Sequence, residues 1–189
     1  YHQNSMKEEE LKILIKKGLQ DGVSKSDLYE DLKDKYEDDD SLRLILASNP
    51  TLENRKNYKF YHLVLSVIWG IFLAIELLNI LELIEKFDLK LFISLILSFY
   101  LTINIWKLNG KFLLPGIIWF IFIIFNAFIS LSDIPEYDPD FYLMQNLTFG
   151  YVFILIIGII LMYYLKKNVF EYFKLFTPEK NKSNQTVFE

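Results

Sequence analysis

Charged and apolar residues are kept apart along this chain. Four apolar runs lie between Phe60 and Leu165, whereas 13 of the 24 acidic residues come before Phe60. A hydrocarbon layer about 30 Å thick is crossed by roughly 20 helical residues, each rising about 1.5 Å. Inside it, every backbone N–H and C=O must find a partner within the protein, which leaves the helix as the structure for such runs. The runs cover 60–83, 89–106, 112–131 and 147–165; polar residues break the first at Ser66, Glu76, Asn79 and Glu82, and Lys166 and Lys167 stop the last. The expected fold is all-α, a polytopic four-helix transmembrane bundle running up and down, with a small N-terminal cytoplasmic three-helix domain.

The connections set the order and the orientation. Residues 107–111, Lys-Leu-Asn-Gly-Lys, suffice for a tight turn only, with Asn109-Gly110 expected to supply the left-handed backbone, so spans two and three form an antiparallel hairpin. Pro115 falls in the first turn of span three, where its missing N–H costs nothing. Cationic side chains resist translocation. Arg55, Lys56 and Lys59 before span one, Lys107 and Lys111 between spans two and three, and Lys166, Lys167 and Lys174 after span four therefore belong to one side. The other side holds Lys86 and Lys90, and a second loop, 133–140, with four acids and no base. Both termini are thus expected in the cytoplasm. The abundance of Ile, Lys, Asn, Phe and Tyr suits an AT-rich bacterial genome, so the expected location is the bacterial cytoplasmic (inner) membrane.

Nearly sixty hydrophilic residues precede the first run and no small-residue cleavage site flanks it, so an uncleaved anchor is expected in place of a signal peptide. Residues 1–5 are expected to be a cloning scar or upstream translation, with Met6 the natural start. Residues 6–50 then form the soluble segment. The first helix has acids in front, bases behind and Leu11, Leu14, Ile15 and Leu19 on one face, and Gly22 ends it. A second, capped by Ser24 or Ser26, carries Leu28, Leu32 and Tyr36; a third follows the acids 38–40 and stops at Asn49-Pro50. Residues 51–59 read as a basic juxtamembrane linker.

With glycine at its turn and a Ser-capped second helix, 14–32 resembles the first two helices of a helix-turn-helix, which would imply DNA binding. The charge points elsewhere: 6–50 has 8 Lys+Arg against 12 Asp+Glu, a net of −4, and Arg43 is the base of the third helix. Phosphate backbones need the reverse balance. No nucleic acid is expected as a partner. A bundle of this size is near the lower limit for folding alone, so it is expected to lean on a protein partner, another copy of the chain or the membrane face.

Cysteine is absent, which excludes disulfides, thiolate metal sites and thiol catalysis. His2 and His62 are the two histidines, and no H-E-x-x-H, G-x-S-x-G or phosphate-loop pattern occurs. Neither an enzyme nor a metal or organic cofactor is expected. Chemistry is concentrated instead on polar residues within the spans. An ionised carboxylate at Glu76, in the outer third of the membrane, is costly unless paired, hydrated or protonated. His62, Ser66, Trp69, Leu73 and Glu76 share a stripe with Asn79 one turn on, and matching depths across antiparallel spans brings Ser94, Ser98, Asn126 and Ser130 to the same level.

Two readings of that level compete. In one, an outward-opening cavity lets Glu76 bind a proton, a cation or an amine-bearing ligand, with Asn126 and the serines as hydrogen-bond partners. In the other, Ser94, Ser98 and Thr102 are a small-residue packing seam and the asparagines join helices. Trp69 is expected to be buried against another helix and Trp106 to anchor at the interface. Gly150 and Gly158 are assigned no role. Val169, Tyr172, Phe173 and Phe176 place an interfacial or continuing helix at 167–177, and 178–189 is expected to be a disordered tail. The leading functional expectation is a non-enzymatic scaffold, regulatory or assembly subunit docking a cytoplasmic partner. The alternative is a small transporter or channel subunit that uses the carboxylate, working as a homo-oligomer.

Overall fold

The computed structural model describes residues 7–78, 89–174 and 176–188. Met6 and the residues before it, residues 79–83 of the first run, Asn79, Lys86 and the last residue of the tail lie outside these. The described chain is helical, with no strand, and three of its helices are long and apolar enough to cross a membrane.

Three helices come first: α1 (Glu8–Gln20), α2 (Lys25–Leu32) and α3 (Asp39–Ser48). Glu8, Glu9 and Glu10 open α1 and Lys17 closes it, each sign opposing the helix dipole. The turn after α1 passes through Gly22 at φ 87°, a conformation that suits glycine. Ser24 caps α2 by accepting the Asp27 N–H at 3.0 Å. Asp38 caps α3, accepting the Ser41 N–H at 3.0 Å and the Ser41 hydroxyl at 2.7 Å, bonds that hold its carboxyl below the usual carboxylate range. Leu11, Ile15, Leu19, Leu28, Leu32, Leu42, Ile45 and Leu46 form one buried cluster. Leu14 departs from the expected face and is 44% exposed.

The basic stretch after Pro50 is itself helical. Thr51 accepts the Asn54 N–H at 3.3 Å to start α4 (Leu52–Asn57), and burial lowers the Arg55 guanidinium from its ordinary value.

The long apolar helices are α5 (Lys59–Leu78), α7 (Leu113–Ser132) and α8 (Phe141–Val169). A shorter apolar helix, α6 (Leu89–Trp106), completes the set. Helix α7 packs closely on α8, and α5 lies against both α6 and α8, while α6 and α7 touch sparingly. Trp69 stacks on Phe120 at 4.3 Å, with Phe72 at 5.4 and 5.3 Å from the two rings. Trp69 is fully buried, as its mid-span position suggested. A cross-contact at Gly158 brings α8 close: a Cβ there would lie 2.6 Å from the Phe120 ring and 3.2 Å from Ile68. Trp106 is 47% exposed, with its indole N–H donated to the Ser66 carbonyl at 2.9 Å. Outward, these helices present Phe60, Leu63, Ile93, Phe125, Phe153 and Ile160, and 22% of the apolar window of α7 is buried. Exposed apolar surface on that scale belongs against lipid or another protein.

Between α6 and α7 the backbone differs from expectation. Leu108 takes the left-handed conformation, at φ 52°, and Gly110 begins a short 3-10 turn, Gly110–Phe112. The Leu108 side chain is buried in the core of the apolar helices. Gly110 is there for space, since a Cβ would lie 2.5 Å from the Phe170 ring.

The end of the chain also differs. The helix stops at Val169 instead of continuing to 177, and the residues from Phe170 fold back as a hook. Lys166 donates to the carbonyls of Phe173 and Lys174, while paired contacts join Phe173 to Pro178 and Lys180 to Thr186. The Glu179 N–H reaches the Tyr172 carbonyl at 2.7 Å and the Val187 N–H reaches the Glu179 carbonyl at 2.8 Å. The tail expected to be disordered is thus ordered through residue 188. It has something to bury after all, because Phe188 packs 5.4 Å from the Tyr29 ring and Thr186 is buried.

Candidate functional site

Polar groups reach the space between α5, α6, α7 and α8 because each of those helices carries a few on an otherwise apolar face. Glu76 lies in the last described turns of α5, 9% exposed. Opposite, the Ser94 hydroxyl of α6 donates to a Glu76 carboxylate oxygen at 3.4 Å, a long contact. Glu76 has no ion-pair partner among the described residues. Buried with one weak donor, an ionised carboxylate there needs a proton, a cation or water.

Beside it is a cavity of about 1050 Å³. Four of the residues singled out in the sequence line it together: Glu76, Ser94, Asn126 and Ser130. Asn126 and Ser130 make no side-chain hydrogen bond among the described residues, so their polar atoms remain open to a guest. The rest of the wall is largely apolar, with Leu97, Trp119, Phe122 and Ile123 prominent.

Ser98 does not belong to the cavity. It is fully buried, its hydroxyl accepts the Trp119 indole N–H at 3.1 Å, and its carbonyl accepts from Thr102 at 2.7 Å. The expected small-residue stripe therefore divides, with Ser94 facing the cavity and Ser98 and Thr102 in the packing. Asn79 lies outside the described residues.

Tyr151 of α8 was missed by sequence reasoning and shares the cavity wall. The signal that could have found it is depth. Tyr151 is early in a helix entering from the side of the acidic loop, at the level assigned to Glu76, but a tyrosine near a span end first reads as an interfacial anchor.

The arrangement can hold a guest with an apolar body and one hydrogen-bonding or cationic head. The carboxylate would meet the head, Ser94, Asn126, Ser130 and Tyr151 could direct it, and the aromatic and aliphatic wall would cover the remainder. Comparison of the chain with protein families, with curated proteins and with solved structures finds no match.

Proposed function

We propose that this chain is a four-span protein of the bacterial cytoplasmic membrane that binds a small hydrophobic amine in the outer half of the bilayer, as a receptor or as one subunit of an oligomeric transporter. The observation carrying this reading is the convergence of Glu76, Ser94 and Asn126 on one apolar-walled cavity. A cationic amine supplies the counter-charge that the carboxylate lacks among the described residues, while the wall accommodates the hydrocarbon. The fourth span is α6, whose 18 residues make about 27 Å of helix. Both termini are cytoplasmic in this reading. The cation-rich flanks and the α6–α7 turn gather at one end, where Phe170 meets Gly110 and Lys25 donates to Tyr172.

A second role, docking of a cytoplasmic protein by the N-terminal helices, is supported by Leu14, which is 44% exposed. DNA is not the partner in this reading. Arg43, the base of α3, is engaged by Asp39 at 2.7 Å and by the Tyr29 hydroxyl, and its guanidinium covers the Tyr29 ring at 4.3 Å.

The test uses the purified full chain in a neutral detergent, with 2-phenylethylamine and its uncharged analogue 2-phenylethanol as probes. The amine should raise the unfolding midpoint more than the alcohol, and Glu76→Gln should weaken amine binding about tenfold or more while leaving the alcohol unaffected, as expected for loss of a charged hydrogen-bond partner. Equal responses to amine and alcohol, or undiminished amine binding by Glu76→Gln, would contradict the proposal.

A further inference from the structure

A second recess lies at the other end of the apolar helices, where α1 and α3 approach the turn between α6 and α7. Its volume is about 410 Å³. Lys12 and Lys16 enter it from α1, Lys107 and Lys111 from the turn, and Tyr100 and Phe112 form an aromatic edge with ring centroids 5.2 Å apart.

The charge of this recess runs against its surroundings. The segment 6–50 is acidic overall, yet the α1 wall facing the turn presents two lysines, four residues apart on one helical face, against one carboxylate, Glu8. Lys12 is paired with Glu8 at 2.5 Å. For Lys16, Lys107 and Lys111 no carboxylate lies within ion-pair distance among the described residues. Three exposed ammonium groups from two separate parts of the chain, none with a carboxylate partner among the described residues, line one recess and would favour an anion between them.

The height of the recess narrows the choice of anion. Trp106 and Tyr100, both exposed at this end of α6, mark the interfacial level where indole and phenol rings prefer to lie. Ile13, 67% exposed, lines the same recess between the two α1 lysines. An isoleucine presented beside lysines in that position suits a surface that is anionic at the headgroups and apolar beneath.

We propose that this recess binds the phosphate of an anionic phospholipid headgroup, held by Lys16, Lys107 and Lys111, so that the lipid ties the N-terminal helices to the membrane helices. The inference shares the bilayer placement with the preceding proposal and is independent of Glu76. A chain in which Glu76→Gln abolishes amine binding but keeps lipid binding would separate the two.

The test is native mass spectrometry of the full chain released from mixed micelles containing equal amounts of phosphatidylglycerol and phosphatidylcholine. One phosphatidylglycerol should be retained in preference to phosphatidylcholine. K16Q/K107Q/K111Q should lower that retention about tenfold, whereas K56Q/K59Q/K167Q, which removes the same charge outside the recess, should not. Inorganic phosphate at millimolar concentration should fail to displace the lipid; efficient displacement would overturn the lipid assignment in favour of a free-phosphate site. Equal retention of the two lipids, or equal losses from the two triple variants, would overturn the proposal. The single variant Lys111→Gln, on an exposed side chain, provides the same comparison with minimal risk to folding.

Discussion

Glycine has opposite meanings at two positions of α8. At Gly150 nothing lies within 4 Å of where a Cβ would stand, while at Gly158 the Phe120 ring is 2.6 Å away. That ring is held by Trp69 and Phe72 and has little room to retreat. Gly158→Ala should therefore destabilise the protein by about 1–3 kcal/mol. Gly150→Ala should be neutral or stabilising by up to about 1 kcal/mol, because alanine is the better helix former. Thermal unfolding of the two variants in the same detergent checks this, and equal midpoints would count against the packing described. Neither role was legible in the sequence, since spacing along one helix does not say which aromatic ring crosses it. Glu76 was legible, because a carboxylate in an apolar run is costly wherever the helix packs. Its neighbours Ser94, Asn126 and Ser130 followed from matching depth alone, whereas Ser98 misled because depth does not fix rotation about the helix axis.

Among the elements, the hook after α8 joins the most distant parts of the chain. Its Tyr172 hydroxyl donates to the Ala47 carbonyl at 2.9 Å and accepts from the Lys25 ammonium at 2.6 Å, while Lys25 also donates to the Phe188 carbonyl at 2.9 Å. Lys25 is 3% exposed, so these bonds offset the desolvation of its charge. Tyr172→Phe keeps the ring and removes the hydroxyl, and should loosen α1–α3 by about 1–3 kcal/mol. Hydrogen exchange should register the change in α2 and α3 and leave α7 unaltered; uniform loss of protection would argue against a local clamp. The first three helices were readable from their caps and apolar spacing, since those signals are local. The hook was not. Its few apolar residues bury against Tyr29 and the α3 end, more than a hundred residues earlier, and composition over a dozen residues carries no trace of that surface.

For the molecule as a whole, the apolar runs dictated helices, and three of them are long and apolar enough to cross a membrane. In the proposed arrangement α6 is the fourth span, and Asn109 and Ser183 lie together on the cytoplasmic side with the acidic loop opposite. Any cysteine introduced is unique, because the chain has none of its own. The decisive measurement is labelling of single cysteines at Asn109, Tyr137 and Ser183 with a membrane-impermeant maleimide in intact bacterial cells and after permeabilisation. Tyr137, 90% exposed in the acidic loop, should react in intact cells, and Asn109 and Ser183 should react after permeabilisation alone. Reaction of Asn109 and Tyr137 from the same side of the membrane would contradict the proposed four-span arrangement and, with it, the depth proposed for Glu76.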